Sequence, residues 1–432
     1  MTIKHNATHD PARKSWVESA NDPATDFPIQ NLPFGVFDDG RGPRGGVALG
    51  SSIIDLAALA ASGALAGPAL QAAQAASGAT LLPLLTAPAA AVSALRASLS
   101  DLFRIDGTGD QGALARALVP MAQATLLMPL RPPAFTDFCT SFDHIRRMAG
   151  GPPKFNSLAL PVAYNGRASS VQASGTPVLR PNGQFAVPMG SDTVQFGPEP
   201  MLDFELEFGV WLRGSTDLGM PISVAEAEAL LFGCCLVNDW SARGIQFFES
   251  VLGPHLGKSF LTTISPWIVT MEALAPFRTP ARGRDAGEPA VPAYLHDADD
   301  RASGAINIEL TAELAVAGEA PQRIVRSNLN ELFWTLAQMV AHQASNGAPL
   351  DAGDLVATGT VSGAAEEARA CMVEITQRGT TPITLPGGAS RTMLEDGDTL
   401  SLRGRAVADG YVPIGFGECS GTIHPARSIS WN

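Results

Sequence analysis

Pro200-Met201-Leu202-Asp203-Phe204-Glu205-Leu206-Glu207-Phe208-Gly209-Val210-Trp211 decides how this chain reads. Bulky apolar residues recur at alternate positions, the pattern of a β-strand. Residues two apart in a strand share a face. Glu205 and Glu207 therefore stand side by side, with Phe204, Leu206 and Phe208 on the opposite face. Adjacent carboxylates repel unless a cation separates them. A hard dication such as Mg²⁺ or Ca²⁺ takes oxygen ligands and answers that need. The segment alone leaves two readings open: a metal site, or a wet face with solvated charges.

The rest of the chain sets bounds on what such a site serves. Its 432 residues predict two domains, or one large domain with a smaller one. With 45% hydrophobic and 16% charged residues it can bury a large core. A net charge of −13 argues against non-specific nucleic-acid binding, which needs a basic surface. The five cysteines, at positions 139, 234, 235, 371 and 419, show no CxxC spacing. No disulfide framework or zinc motif is implied, and a reducing cytoplasm is the expected setting. Met1 to Trp16 has no apolar core of a secretory leader. The Ala/Leu-rich run from Ile53 to Leu102 is interrupted by Gly63, Gly67, Pro68, Gln71, Gln74, Gly78 and Pro83. It reads as short helices packed on the protein, with no membrane span.

Short apolar runs with turn signals over 16–60 predict a small β-module, and Ala-rich helices follow to about residue 118. Pro129 to Pro133 is a plausible junction, after which the chain turns β-rich. Ser223-Val224-Ala225-Glu226 is a capping box that opens a short helix. A second helix is expected over Leu329 to Ser345. Arg278 to Gly304, polar and rich in Pro and Gly, reads as an exposed insertion.

Four further segments carry chemistry. In Phe135-Thr136-Asp137-Phe138-Cys139-Thr140-Ser141-Phe142-Asp143-His144, Asp137 and Asp143 are candidate oxygen ligands. His144 is a candidate base, or a surface or capping histidine. Tyr164 and Arg167 flank Asn165-Gly166, a dipeptide suited to a tight turn. An apolar run ends at Asp239, a place for a third carboxylate ligand. Beyond it, Arg243 and Gln246 share a face if the turn is helical, and Lys258 follows a Gly-flanked loop. These three are donors suited to a developing oxyanion. Gly257-Lys258-Ser259 is no P-loop, because Leu252 stands where that pattern needs its first glycine. Glu374 stands alone in an apolar run, Cys371-Met372-Val373-Glu374-Ile375, read as a strand. It either faces solvent or, if buried beside a histidine, orients and charge-stabilises that ring.

These segments resemble the fumarylacetoacetase family. The likeness rests on Asp137-Phe138-x-x-Ser141-x-x-His144, on Leu160-Pro161-Val162-x-Tyr164-x-Gly166-Arg167-Ala168-Ser169-Ser170, on Asn238-Asp239-Trp240-Ser241-Ala242-Arg243-x-Ile245-Gln246 and on Gly257-Lys258-Ser259-Phe260. Asp26-Phe27-Pro28-Ile29-Gln30-Asn31-Leu32-Pro33-Phe34-Gly35-Val36-Phe37 and the C-terminal Gly415-Phe416-Gly417-Glu418-Cys419 extend it over nearly the whole chain. The fold it implies is mainly β, of the α+β class. A small SH3-like barrel with Ala-rich helices would occupy 1–130, and a larger β-roll or sandwich carrying the site 131–432. A homodimer is implied.

The implied activity is metal-dependent hydrolysis of a carbon–carbon bond in a β-diketone, at the end of tyrosine and phenylalanine breakdown. By the same resemblance Asp137, Glu205, Glu207 and Asp239 would hold Mg²⁺ or Ca²⁺, with Lys258 and Thr262 touching the ion's surroundings. His144 would be the general base and Glu374 its orienting partner. Arg243, Gln246 and Lys258 would stabilise the oxyanion and the leaving carbanion. Tyr164, Gln246 and Thr360 would contact the diketo-acid substrate. The family often has a tyrosine where Cys139 stands and another near Ser250, both of which would face the substrate's carboxylate end, and only Arg146 and Arg147 are candidates for its substrate-binding arginine. Those departures keep a related acylpyruvate or diketo-acid hydrolase open, and a 2-oxo-acid decarboxylase would use the same enolate logic.

Overall fold

The computed structural model describes residues 5–107, 109–149, 151, 153–249, 252–316 and 318–428. Its N-terminal part is built on a five-stranded antiparallel sheet in the order Leu118–Pro120, Ser52–Asp55, Arg44–Leu49, Phe34–Asp38, Thr125–Leu127. Between Ser52–Asp55 and Leu118–Pro120 lie the Ala-rich helices. Asp55 starts the first, Leu56–Ala61, by accepting from the Ala58 N–H. Gly67–Ala76 then packs on Ala89–Phe103 through Ala72, Ala73, Leu95 and Leu99, all fully buried. No helix among the described residues is long and apolar enough to cross a membrane.

The larger part is a sheet-on-sheet arrangement. Its main sheet runs Val162–Gly166, Phe135–Cys139, Leu355–Ala357, Leu206–Leu212, Leu231–Asp239, Thr262–Ile264, Val171–Ala173. The second runs Gln322–Asn328, Ile308–Ala315, Thr399–Ala406, Cys419–His424, Val178–Leu179. Alternate residues Ile308, Leu310, Ala312 and Leu314 point inward, with Leu400 and Leu402 beside them. They meet Phe204, Leu206, Phe208, Val210 and Leu236 of the main sheet in one core.

The opposite face of the main sheet carries Phe135, Trp211, Cys235, Val237, Ile264, Leu355 and Ala357. These share a second core with Val36, Val47, Leu59, Leu85 and Leu95 of the N-terminal part. The N-terminal module is thus bonded by apolar burial to the very face on which Glu205 and Glu207 lie, and leaves one end of it to polar residues. The α+β class and the two-part architecture expected from the sequence are those observed.

Three local expectations are corrected, and a fourth is refined. The helix expected over Leu329–Ser345 is only Leu336–Gln343, because Thr335 caps it by accepting from the Gln338 N–H; ahead of it lies a single 3₁₀ turn, Leu329–Glu331. Asn165-Gly166 is no turn: both residues belong to the strand Val162–Gly166, where Gly166 lies opposite Phe135. A Cβ on Gly166 would fall 2.3 Å from the Phe135 ring, so close approach is what requires glycine there. The 278–304 segment lies largely at the surface as expected, but it is anchored: Leu295 is fully buried, and Arg284 stacks over the Phe333 and Trp334 rings. Glu374 sits in a one-turn helix, Met372–Ile375, where a strand was expected.

Candidate metal-dependent active site

The strand bearing Glu205 and Glu207 breaks once. Leu202–Asp203 pairs with Ser241–Ala242, and Leu206–Leu212 pairs with Leu231–Asp239. Phe204 and Glu205 bridge the break, with the Asn238 side-chain oxygen accepting from the Glu205 N–H at 3.2 Å. Glu205 and Glu207 still emerge on one side.

Register supplies their neighbours. Glu207 lies opposite Val237, two residues before Asp239, and Asp239 lies opposite Thr262. Asp137 lies opposite Tyr164. Directly opposed residues of an antiparallel pair share a face, so three strands deliver Asp137, Glu207 and Asp239, and the break between strands delivers Glu205, to one place. Asp137, Glu205, Glu207 and Asp239 each bring an oxygen within 4.8 Å of the others, and all four are buried. Asp143 lies outside this cluster and faces Arg146 at 3.8 Å.

The charges around the cluster are unevenly shared. Lys258 Nζ donates to Glu205 and, at 3.0 Å, to Asp239. Arg243 reaches Glu205 Oε1 at 2.7 Å. Tyr164 donates to Asp239 Oδ2 at 2.7 Å and Thr262 to Oδ1 at 3.2 Å. Burial alone would raise the Glu205 carboxyl, but Lys258 and Arg243 outweigh it and hold it below the ordinary range. Burial likewise works against the Lys258 ammonium, and Asp239 and Glu205 hold it above its usual value.

Glu207 and Asp137 have no such help. Both Glu207 oxygens and Asp137 Oδ1 lack any hydrogen-bond partner among the described residues. Burial, followed by the neighbouring carboxylates, pushes both groups well above the ordinary range. Buried carboxylates without partners are strongly disfavoured. Four hard oxygen donors with uncompensated charge fit a divalent cation, and Mg²⁺ or Ca²⁺ takes such a set.

Beside the cluster, the helix Phe142–Ala149 carries His144, whose Nδ1–H donates to Glu374 Oε1 at 2.5 Å. Ser362 donates to the same oxygen at 2.6 Å, and Arg147 donates to Oε2 at 2.8 Å. Burial works to raise the Glu374 carboxyl, but His144, Ser362 and Arg147 bring it down to about 2. Glu374 is therefore an anion. His144, Cys371 and Glu374 form a second close group. Direct contact between Nδ1 and Oε1 leaves no room for an ion between them.

Arg243 begins the short helix Arg243–Phe248 and donates to Gln246 Oε1 at 3.0 Å, so the two do share a face. Thr360 follows the strand Leu355–Ala357, and its buried hydroxyl has no partner among the described residues. Cys139 ends its strand partly buried, its thiol pushed up to about 12 by burial and by Glu205. Ser250 lies outside the described residues. Arg146 is turned to Glu288 at 2.8 Å.

The sequence matches the family described as "Fumarylacetoacetase N-terminal" over residues 30–129 and "Fumarylacetoacetate (FAA) hydrolase C-terminal" over residues 134–424. This chain belongs to the fumarylacetoacetase family. It is 40% identical over 431 residues to the fumarylacetoacetase of Oryza sativa subsp. japonica, covering 96% of this chain and 97% of that one. It is 41% identical over 421 residues to the fumarylacetoacetase of Caenorhabditis elegans, covering 93% and 97%. The solved structure of a fumarylacetoacetate hydrolase from psychrophilic Exiguobacterium antarcticum covers 92% of this chain and all of its own, with a TM-score of 0.50 at 16% identity, a likeness of fold. The fumarylacetoacetase family depends on divalent metals, which agrees with the donor set.

Several residues of this fumarylacetoacetase-family site escaped the sequence reading. Asp203 accepts from Arg243 Nε at 2.8 Å and from the backbone N–H groups of Met372 and Val373. It therefore ties the donor Arg243 to the helix bearing Glu374. Glu199 accepts from the N–H groups of Gly244 and Ile245, fixing the start of the Arg243 helix. Asp203 was in view in the opening stretch, in alternation with Glu205 and Glu207, but the break at Phe204 and Glu205 takes it out of their pairing and into a pair with Ser241. Ser362 and Glu199 gave no signal.

Proposed function

We propose that this protein hydrolyses fumarylacetoacetate to fumarate and acetoacetate, closing tyrosine and phenylalanine breakdown in the cytoplasm. The observation that carries the reading is the juxtaposition of a buried four-carboxylate cluster with an imidazole–carboxylate dyad, in a chain about 40% identical to fumarylacetoacetases over nearly its full length.

Asp137, Glu205, Glu207 and Asp239 would hold Mg²⁺ or Ca²⁺, with Lys258 and Thr262 in the surrounding layer. Bound there, the dication supplies Lewis acidity that polarises the carbonyls of a 1,3-dicarbonyl. With Nδ1 donating to Glu374, His144 Nε2 is the ring atom left to take a proton from water. Glu374 stays ionised and stabilises the imidazolium. Water oxygen bonds to the fumaryl ketone carbon. The carbon–carbon bond to the central methylene then breaks, and its electron pair becomes the enolate of acetoacetate. Arg243, Gln246 and Lys258 supply donors to the negative charge as it develops. A proton on the enolate carbon completes acetoacetate. Tyr164 and the unpartnered Thr360 hydroxyl would contact substrate, as would Gln246. Cys139 and Ser250 would lie toward the substrate's carboxylate end. Because Cys139 is a small neutral thiol, a related acylpyruvate or diketo acid is the second reading. Decarboxylation of a 2-oxo acid needs no activated water and would leave the His144–Glu374 pair without a use.

We also place the division of the chain at 130/131, and the protein as a homodimer. Exposed apolar side chains support the dimer: Met189, Val194, Phe247, Phe248 and Leu256 lie around the hairpin Asn182–Ala186/Val194–Pro198 and the helix against it. The test of function is loss of the enol absorbance of fumarylacetoacetate with Mg²⁺, with Ca²⁺ and with EDTA. Metal-dependent loss supports the reading. No loss with metal bound, and turnover of an acylpyruvate instead, would favour the second.

A further inference from the structure

Two donors on one helix grip the two oxygens of one carboxylate. His144 and Arg147 lie three residues apart on Phe142–Ala149, hence on one face. His144 takes Glu374 Oε1 and Arg147 Nη1 takes Oε2 at 2.8 Å. The second nitrogen of the same guanidinium, Nη2, donates to the Gly363 carbonyl at 2.8 Å and to the Ala364 carbonyl at 3.2 Å. Arg147 therefore joins three things: the helix bearing the base, the helix bearing its carboxylate, and the Gly363–Ala364 loop next to Ser362, which itself donates to Oε1.

We propose that Arg147 is a positioning residue of the dyad: it fixes the plane of the Glu374 carboxylate and shares its charge, and does not bind substrate. The inference rests on the dyad assignment made above. It also removes Arg147 from the candidates for a substrate-binding arginine.

Two physical consequences follow. A carboxylate held at one oxygen rotates about its last bond, whereas one held at both presents Oε1 to His144 in a single orientation. A guanidinium on the far oxygen also withdraws part of the negative charge that would otherwise favour the imidazolium. Arg147 thereby tempers the charge that Glu374 Oε1 presents to the ring. The other groups facing the pair are accounted for. Ser362 is neutral, and Cys371 Sγ lies 3.6 Å from Oε1 with its thiol pushed well above its ordinary range by burial. Glu205 and Cys139 lie on the metal side. Arg369 and Arg378 line, with Arg147 and Val373, a cavity of about 250 Å³ on the other side of Glu374. Arg369 is paired with Glu366 at 3.0 Å and Arg378 donates to the Met148 carbonyl, so neither substitutes for Arg147 on Oε2.

The test compares Arg147→Met, which keeps the apolar stem and removes the charge, with Arg147→Lys, which keeps the charge. In the metal-loaded protein without substrate, the His144 C2–H resonance is followed by NMR across pH, and the pH profile of kcat/KM is measured in parallel. Arg147→Met should move the His144 transition and the acid limb upward by about half to one pH unit, with KM changed less than about threefold. Arg147→Lys should return both to the wild-type position while kcat stays a few-fold low, since one ammonium cannot span Glu374 and Gly363 as the planar guanidinium does. An unmoved transition in Arg147→Met overturns the proposal, and so does a tenfold rise in KM with an unmoved limb, which would make Arg147 a substrate ligand. If Arg147→Met does not fold, Arg147→Gln against Arg147→Lys carries the same comparison. The NMR transition is read without substrate, so failure to turn over fumarylacetoacetate counts against the proposed reaction and leaves this test standing.

Discussion

His144 and Glu374 are 230 residues apart in the chain and 2.5 Å apart at Nδ1 and Oε1. The contact defines which ring nitrogen is free, and it makes the carboxylate, held down to about 2, a permanent anion at working pH. His144→Ala is expected to lower kcat by about 10²–10⁴-fold with metal affinity unchanged. Glu374→Gln keeps the shape and removes the charge, and should fall in the same range. Steady-state kinetics with a parallel metal titration checks both. A loss confined to KM would contradict the base assignment.

Metal binding should release protons. In the metal-free protein Glu207 and Asp137 are raised, so they hold protons that a dication must displace. Affinity should therefore increase with pH, read by calorimetry in buffers of different ionisation enthalpy. The stability sign follows from the same shift. A carboxyl raised in the folded state contributes stability at low pH that is lost as pH rises through its folded value. Metal-free protein should lose thermal stability as pH rises, and the loaded protein less so. Glu207→Gln should abolish tight metal binding yet raise the melting temperature of the metal-free form by a few °C. A lowered melting temperature would contradict the uncompensated charge.

Asp203 should matter for stability as much as any ligand. It and Arg243 are both fully buried, and Asp203 also accepts from the Met372 and Val373 N–H groups. Asp203→Asn leaves Arg243 undercompensated and is expected to cost about 3–5 kcal/mol. Urea unfolding reads it. A change within about 0.5 kcal/mol would show that Glu205 alone suffices for Arg243.

Gly359 holds the turn that presents Thr360. Its φ is +76°, and a Cβ there would sit 2.1 Å from the Phe138 carbonyl oxygen. Gly359→Ala should therefore destabilise the fold by about 2–4 kcal/mol and lower activity with it. Thr360→Val, which leaves that backbone alone, should raise KM with little change in melting temperature. A wild-type KM would remove Thr360 from the substrate contacts.

The carboxylate cluster was legible wherever one strand's periodicity decided it. Glu205 and Glu207 alternate, and Asp239 ends an apolar run. The three-residue spacing of Arg243 and Gln246 was also correctly helical. Legibility failed where two distant elements decide the outcome. Met372–Ile375 is apolar enough for a strand, but Asp203 accepts from the N–H groups at its start and fixes one helical turn there. Asn165-Gly166 carries turn chemistry, yet pairing with Phe135 and Thr136 keeps it extended. The polar 278–304 segment buries Leu295 and lays Arg284 across Phe333, which composition does not reveal. Arg147 read only as a candidate substrate-binding arginine, because its partner lies 227 residues away.

In the proposed reaction the buried carboxylate cluster would hold a dication, and the His144–Glu374 pair would activate water to cleave a carbon–carbon bond. The most direct test is a single turnover of fumarylacetoacetate in ¹⁸O-labelled water by the Mg²⁺-loaded protein, with products read by mass spectrometry. The proposed reaction requires fumarate and acetoacetate in equal amounts, one new label on fumarate, and no product from His144→Ala. Release of carbon dioxide without fumarate, or fumarate free of label, would contradict it.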